Sequence, residues 1–288
     1  MRLSVAVPAT SANLGPGFDC FGLALELVNE VVLDTEATPG VTWSGEGADE
    51  LPNDGTDMVS RAMGFVANEA GKELPPCALH STNAIPLERG LGSSSAAAVA
   101  GVLLAASLLE LRELGDPASV FHLASRLEGH PDNAAAAVYG GFTLATPDGP
   151  VVRLDPAPDL RPVVMIPETV RLSTAEARRR LSSLVPRPDA VYNLSHAALT
   201  VVALTQRPEL LGLAMRDRLH QDSRLDSVPS VRAIFDATAR RGVPIAVSGA
   251  GPTLIAFETD ELTIEDPGAG WRVLRPRVRA EGAAVSRA

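Results

Sequence analysis

Residues 90–95 read Gly-Leu-Gly-Ser-Ser-Ser and run straight into an Ala/Leu-rich stretch of helical length. Glycine lets the backbone approach a ligand and adopt positive φ. The first turn of the following helix has unpaired N–H groups and a partial positive charge. Together these features favour phosphate, and one hydroxyl of Ser93, Ser94 or Ser95 could ligate Mg2+. The segment is not the P-loop pattern G-x-x-x-x-G-K-[ST], because it has no lysine. A plain helix capped by serine after a glycine turn would use the same residues.

Three other segments carry groups able to do chemistry. Pro8 to Asp19, PATSANLGPGFD, puts an amide, Asn13, and a carboxylate, Asp19, on one glycine-rich loop. They could grip an ammonium or hydroxyl group, or simply form turns. Glu128-Gly129-His130-Pro131-Asp132-Asn133 gathers acid, imidazole, acid and amide. A carboxylate there could hold Mg2+, or the acids could cap a helix end. Ser248-Gly249-Ala250-Gly251-Pro252-Thr253 reads as a glycine hairpin whose backbone could cover phosphates, or as a simple turn.

The surrounding pattern says what must position these groups. Residues 2–8 alternate as a strand that should stop at Pro8. Two strands are expected within 20–37, and another over 76–82. Helices are expected over 57–70, from Ser94 to Leu111 and over 117–127, with a further helical stretch before Gly140-Gly141 and the strand FTLAT. The proline-rich stretch 147–162 reads as a domain connection. Beyond it come a strand at 163–167 and helices near 173–182, 189–205, 208–219 and 228–241. Strands near 243–248 and 252–257 follow, with a closing strand within 271–286. Hairpins mixed with helices predict two α+β domains, divided as 1–152 and 153–288.

Bulk composition narrows the function. The chain has 288 residues, is 45% hydrophobic and 21% charged, and carries a formal net charge of −10. Nucleic acid and anionic membrane surfaces reward a basic protein, so neither is an expected partner. The longest apolar stretch, Ala96 to Leu109, suits a buried helix and is short for a bilayer span. Cys20 and Cys77 make neither a disulfide framework nor a metal spacing. With no signal-peptide pattern at the start, they point to the cytoplasm. Lys72 is the only lysine, so lysine chemistry must use it or be absent.

In this order, PATSANLGPGFD, P-x-x-x-G-L-G-S-S-x-A, E-G-H-P-D-N and S-G-A-G-P, the four segments resemble the GHMP kinase superfamily, most closely its homoserine kinase family. The resemblance covers about residues 2–285. It implies an N-terminal domain like domain 2 of ribosomal protein S5, a ferredoxin-like C-terminal domain, and a cleft between them for ATP and substrate. It also implies phosphorylation of the side-chain hydroxyl of L-homoserine, in threonine biosynthesis, and a homodimer. Pro86, Leu87, Glu88, Arg89, Gly90, Leu91, Gly92, Ser93, Ser94, Ser95 and Ala96 would bind ATP. Ser94 and Glu128 would hold Mg2+, with Asp132 the alternative acid. Asn13, Asp19, His130, Asn133, Thr174, Arg178 and Arg224 would line the amino-acid pocket, the two arginines taking the carboxylate. Asn133, Glu128 and Asp19 would form the catalytic set. Mevalonate kinases carry a base Asp seven residues before their paired glycines. Here that position is Asn133, and an amide cannot act as a general base. Residues 8–19 also lack the lysine of the mevalonate branch. The absence of both fits the homoserine kinases, and the resemblance to them implies catalysis without a strong protein base, by position and charge neutralisation.

Overall fold

The computed structural model describes residues 1–146 and 149–287. The strands are β1 (Arg2–Ala12), β2 (Phe21–Asp34), β3 (Gly40–Gly45), β4 (Ala78–Asn83), β5 (Phe142–Leu144), β6 (Val152–Leu154), β7 (Arg161–Pro167), β8 (Ile245–Val247), β9 (Leu254–Glu258), β10 (Trp271–Leu274) and β11 (Ala284–Arg287). The helices are α1 (Met58–Glu69), α2 (Ser93–Leu108), α3 (Pro117–Glu128), α4 (Asp132–Tyr139), α5 (Thr174–Arg179), α6 (Arg187–Thr205), α7 (Leu211–Ala214), α8 (Gln221–Asp226) and α9 (Pro229–Arg240).

The first sheet runs β11-β1-β2-β4-β3, with β5 on β2 and β6 on β5. Only the β3–β4 pair is parallel among its described pairings. Alternate residues of β1, Leu3, Val5 and Val7, are fully buried, as a strand with one face on the core requires. Helices α2 and α4 lie on β1 and β2, with α1 and α3 beside α2. Helix α2 buries residues all round, including Ala98, Val99, Ala100 and Val102, the pattern of a helix enclosed by protein.

The second sheet runs β10-β7-β9-β8, all antiparallel. Its two faces serve different cores. Val164, Ile166, Ile255 and Phe257 join the large core of the first sheet. Val163, Met165, Leu254 and Ala256 join a smaller core with Leu225 of α8 and Val231 of α9. Near-continuous apolar runs, as in β7 and β9, are what a sheet covered on both sides demands.

Several sequence expectations need correction. Strand β1 does not stop at Pro8. It continues to Ala12, and the proline sits at a register shift between Pro8 and Ala9, where a missing N–H costs no regular ladder bond. The two strands expected in 20–37 are one, β2. Strand β3 was not anticipated, because Gly40 and its polar neighbours weaken the alternation. The helix expected over 208–219 reduces to a 3-10 turn, Pro208–Leu210, and α7. The closing stretch 271–286 splits. Strand β10 pairs with β7, whereas β11 crosses back to pair with β1. Of the expected connection 147–162, Pro147 and Asp148 lie outside the described residues, and β6 within it joins the first sheet.

Candidate active site

The end of β1, the loop after it, the start of α2 and the turn between β8 and β9 meet at one place. Gly92 occupies the N-cap of α2 at φ 71°, and no side chain caps that helix. The serines therefore do not serve as caps, and the first-turn N–H groups stay available to a ligand. A Cβ on Gly92 would lie 2.0 Å from Thr10 Oγ1, so both the backbone angle and the space demand glycine. Gly90, at φ 77°, presses against the β8–β9 turn, where a Cβ would lie 2.2 Å from the Ser248 carbonyl oxygen. Ser248 Oγ donates to Gly90 O at 2.7 Å, and Thr10 N donates to Leu91 O at 3.0 Å. The glycine loop is thus strung between β1 and the S-G-A-G-P turn.

Glu128, at the end of α3, faces this helix start. Ser94 Oγ donates to its Oε1 at 2.7 Å and Ser95 Oγ to its Oε2 at 2.8 Å. Two hydroxyls and a carboxylate so held form a hard oxygen donor set, the kind Mg2+ uses together with phosphate oxygens. Among the described residues no three His, Cys, Asp or Glu side chains gather as a metal cage.

Across the cavity lies a charged wall. Arg178, on α5, clasps Asp19 through Nη1–Oδ2 at 2.8 Å and Nη2–Oδ1 at 2.6 Å. The Asp19 hydrogen bond holds the Arg178 guanidinium pKa above its ordinary value. Arg224, on α8, is only 5% exposed. It donates to the Gly249 carbonyl, and its Nε has no partner. Burial pushes its pKa down to about 10, opposed by the charge of Asp19, so it stays cationic at neutral pH. His130 Nδ1 lies 3.1 Å from Asp132 Oδ1. Burial disfavours its protonation, but the bond and charge of Asp132, with Glu128 adding, outweigh that and raise the His130 pKa. Asn133 Oδ1 accepts from Thr10 Oγ1 at 2.7 Å.

Asn13 spends its amide on the loop itself. Nδ2 donates to Gly249 O at 2.9 Å, and Oδ1 accepts from Asp19 N at 3.0 Å. Asn13 and Asp19 both sit at positive φ, 68° and 56°, which Asn and Asp tolerate better than most residues.

One cavity of about 220 Å³ is lined by Asn13, Asp19, Glu128, His130, Asn133, Thr174, Arg178 and Arg224 together with Glu88, Arg89, Gly90, Gly92 and Ser93–Ser95. A second, of about 410 Å³, meets it at Glu88, Ser93 and Ser94. Apolar Trp43, Leu51, Met58 and Val59 line that second space, with Asn29, Ser81 and Asn83 as polar groups, and Leu87 and Ala96 face it. Leu91 is buried in the core, and Pro86 lines neither space. Sequence reasoning missed the second cavity because Trp43 lies on the unanticipated β3. It also missed Thr10, although the PATSANLG segment contains it. Lys72, the sole lysine, donates to Leu109 O at the far end of α2.

A glycine-cradled helix start facing a carboxylate defines a class. Residues 57–141 match the GHMP kinases N terminal domain. A crystal structure of homoserine kinase from Cytophaga hutchinsonii superposes with a TM-score of 0.82 at 27% identity, covering 99% of this chain and 97% of that one. A mevalonate kinase structure shares the fold at a TM-score of 0.64 and 13% identity, over 96% of this chain and 99% of that one. The molecule is thus a kinase with the α+β GHMP fold. Homoserine kinase of Leifsonia xyli subsp. xyli is 41% identical over 99% of this chain and 92% of that protein. That of Mycobacterium tuberculosis is 44% identical over 89% of this chain and 84% of that protein. The chain belongs to the homoserine kinase family.

Proposed function

We propose that this enzyme transfers the γ-phosphoryl group of ATP to the side-chain hydroxyl of L-homoserine, releasing ADP, O-phospho-L-homoserine and the hydroxyl proton. One observation carries the reading. A single cavity joins an uncapped, glycine-flanked helix start to a wall bearing Asp19, Arg178 and Arg224. The first suits a polyphosphate. The second suits a zwitterion, with Asp19 for the ammonium group and the arginines for the carboxylate.

In this reading the phosphates rest on Gly90–Ser95 and the nucleoside lies in the apolar space beside Trp43 and Val59. Ser94 and Glu128 would hold Mg2+, which supplies charge neutralisation at the transferred phosphoryl group. Asn133, tied to Thr10, positions the acceptor without removing its proton. Asp19 and Arg178 already satisfy each other, so an α-amino acid can insert between them with its own opposite charges and keep both paired. Turnover in the cytoplasm fits the two free cysteines. No helix among the described residues is long and apolar enough to cross a membrane. A homodimer is carried over from the family resemblance. The division at 152/153 is kept with two amendments, since β6, which crosses it, and β11 both belong to the first sheet.

The test is ADP release with homoserine, mevalonate, shikimate and galactose as acceptors. Homoserine should give the highest kcat/KM, and a preference for another alcohol would overturn the assignment.

A further inference from the structure

Phe18 stands out because core packing does not explain it. It is half-buried and joins none of the hydrophobic clusters. Its ring faces charge instead. Arg224 Cζ lies 5.4 Å from the ring centroid and Arg178 Cζ lies 5.7 Å away. Both are within the range at which an aromatic face attracts a cation. On another side the His220 ring sits at 5.2 Å, tilted by 32°. His220 is fully enclosed, and its Nε2 lies 2.7 Å from Gly15 O, to which it donates.

We propose that Phe18 is a positioning residue for the amino-acid substrate: its ring holds the guanidinium groups of Arg178 and Arg224 side by side at the spacing that grips one carboxylate. The inference rests on reading these arginines as the carboxylate clamp. Two cations lining one small cavity repel each other. Arg178 is compensated by Asp19. Arg224 has no carboxylate within ion-pair distance among the described residues, only the Gly249 carbonyl and the ring. The negative face of the ring lies against both guanidinium groups and adds to the more distant charge of Asp19 in offsetting that repulsion before substrate arrives. His220 packs against the ring and ties the same loop at Gly15. Because Phe18 touches the arginines and its role is exerted through them, its effect should appear in substrate binding and leave the chemical step alone.

The experiment replaces Phe18 with phenylalanine carrying one, two and three ring fluorines, which withdraw the face charge while nearly keeping the shape. The KM for homoserine should rise stepwise, to roughly tenfold at three fluorines. Both kcat and the KM for ATP should stay within about twofold. Phe18→Tyr, which keeps the ring, should stay near the native enzyme. A flat fluorine series overturns the proposal even if Phe18→Leu is impaired, since loss of shape alone would explain that variant. A parallel fall in ATP affinity overturns it as well. Arg178→Ala and Arg224→Ala separate the two failures. If they lose the preference for homoserine while the fluorine series is flat, only the role of Phe18 falls. If they keep that preference, the clamp reading falls and the inference with it.

Discussion

The two walls of the cavity are built by opposite means. The wall proposed for phosphate is one contiguous segment, Gly90–Ser95, and offers largely backbone N–H groups already oriented by α2. The wall proposed for the amino acid is assembled from the loop after β1, the start of α4, and helices α5 and α8. Its groups are ionised side chains that must be neutralised when no substrate is present. Arg178 and Asp19 do this for each other, while Arg224 leans on a carbonyl oxygen and a ring. A backbone wall can be specified locally and needs no counter-charge. A charged wall costs desolvation and must borrow partners from across the chain. Damage to the second wall should therefore be large and selective for the amino acid, whereas damage to the first should fall on turnover.

The sharpest way to break this contrast is to remove an arginine. Losing one partner of a desolvated charge pair costs about 2–5 kcal/mol. Arg178→Ala and Arg224→Ala should therefore lose roughly 30-fold to several thousand-fold in kcat/KM for homoserine. ATP affinity should stay at the native level. Arg178→Ala also frees Asp19, so an amino alcohol without a carboxylate, compared in the same assay, should lose far less. If both variants retain the native preference for homoserine, these arginines do not bind the carboxylate.

The phosphate wall is tested by Glu128→Gln. Glutamine can still accept from Ser94 or Ser95 but carries no charge. Turnover should fall about 100-fold or more, the scale for a lost electrostatic group at a reacting centre, with the KM for homoserine little changed. A loss below about threefold would move the metal role to Asp132, which now pairs with His130.

The contrast also explains what could be read from the sequence. Gly90, Gly92 and the serines announce a phosphate site because spacing along the chain is spacing in space at a helix start. The hydrophobic run of α2 and the strands near 163–167 and 252–257 were legible for the same local reason. The amino-acid wall was not. Nothing local marks Thr174, Arg178 or Arg224 as neighbours of Asp19, and they entered only through resemblance to a family. Pairing of β11 with β1 was equally hidden, since an exposed edge strand at the end of the chain has no alternation to reveal it. Phe18 carries no signal along the chain either, since the two guanidinium groups against its ring come from residues 178 and 224.

The smallest effect concerns the support beneath the charged wall. His220 is fully enclosed, and burial pushes its pKa down to about 4 against the opposing charge of Asp217. The free side chain titrates near 6.5. A histidine depressed in the folded state is bound by more protons when unfolded at mildly acidic pH. Its contribution to stability is thus complete above about pH 6.5 and is lost as pH falls toward 4. Between pH 7.5 and 5.5 the native protein should lose about 1.4 kcal/mol through this group, one pH unit below the unfolded value being worth roughly a factor of ten. His220→Gln keeps an N–H donor for Gly15 O and does not titrate. Urea unfolding of both proteins at the two pH values isolates the term as a double difference. His130, whose raised pKa slopes the other way, cancels from it because both proteins carry it. The native protein should show the steeper acid loss. Equal losses would mean that His220 takes up its proton as readily in the folded protein as in the unfolded one, and at pH 5.5 a third cation would then sit beside the ring of Phe18.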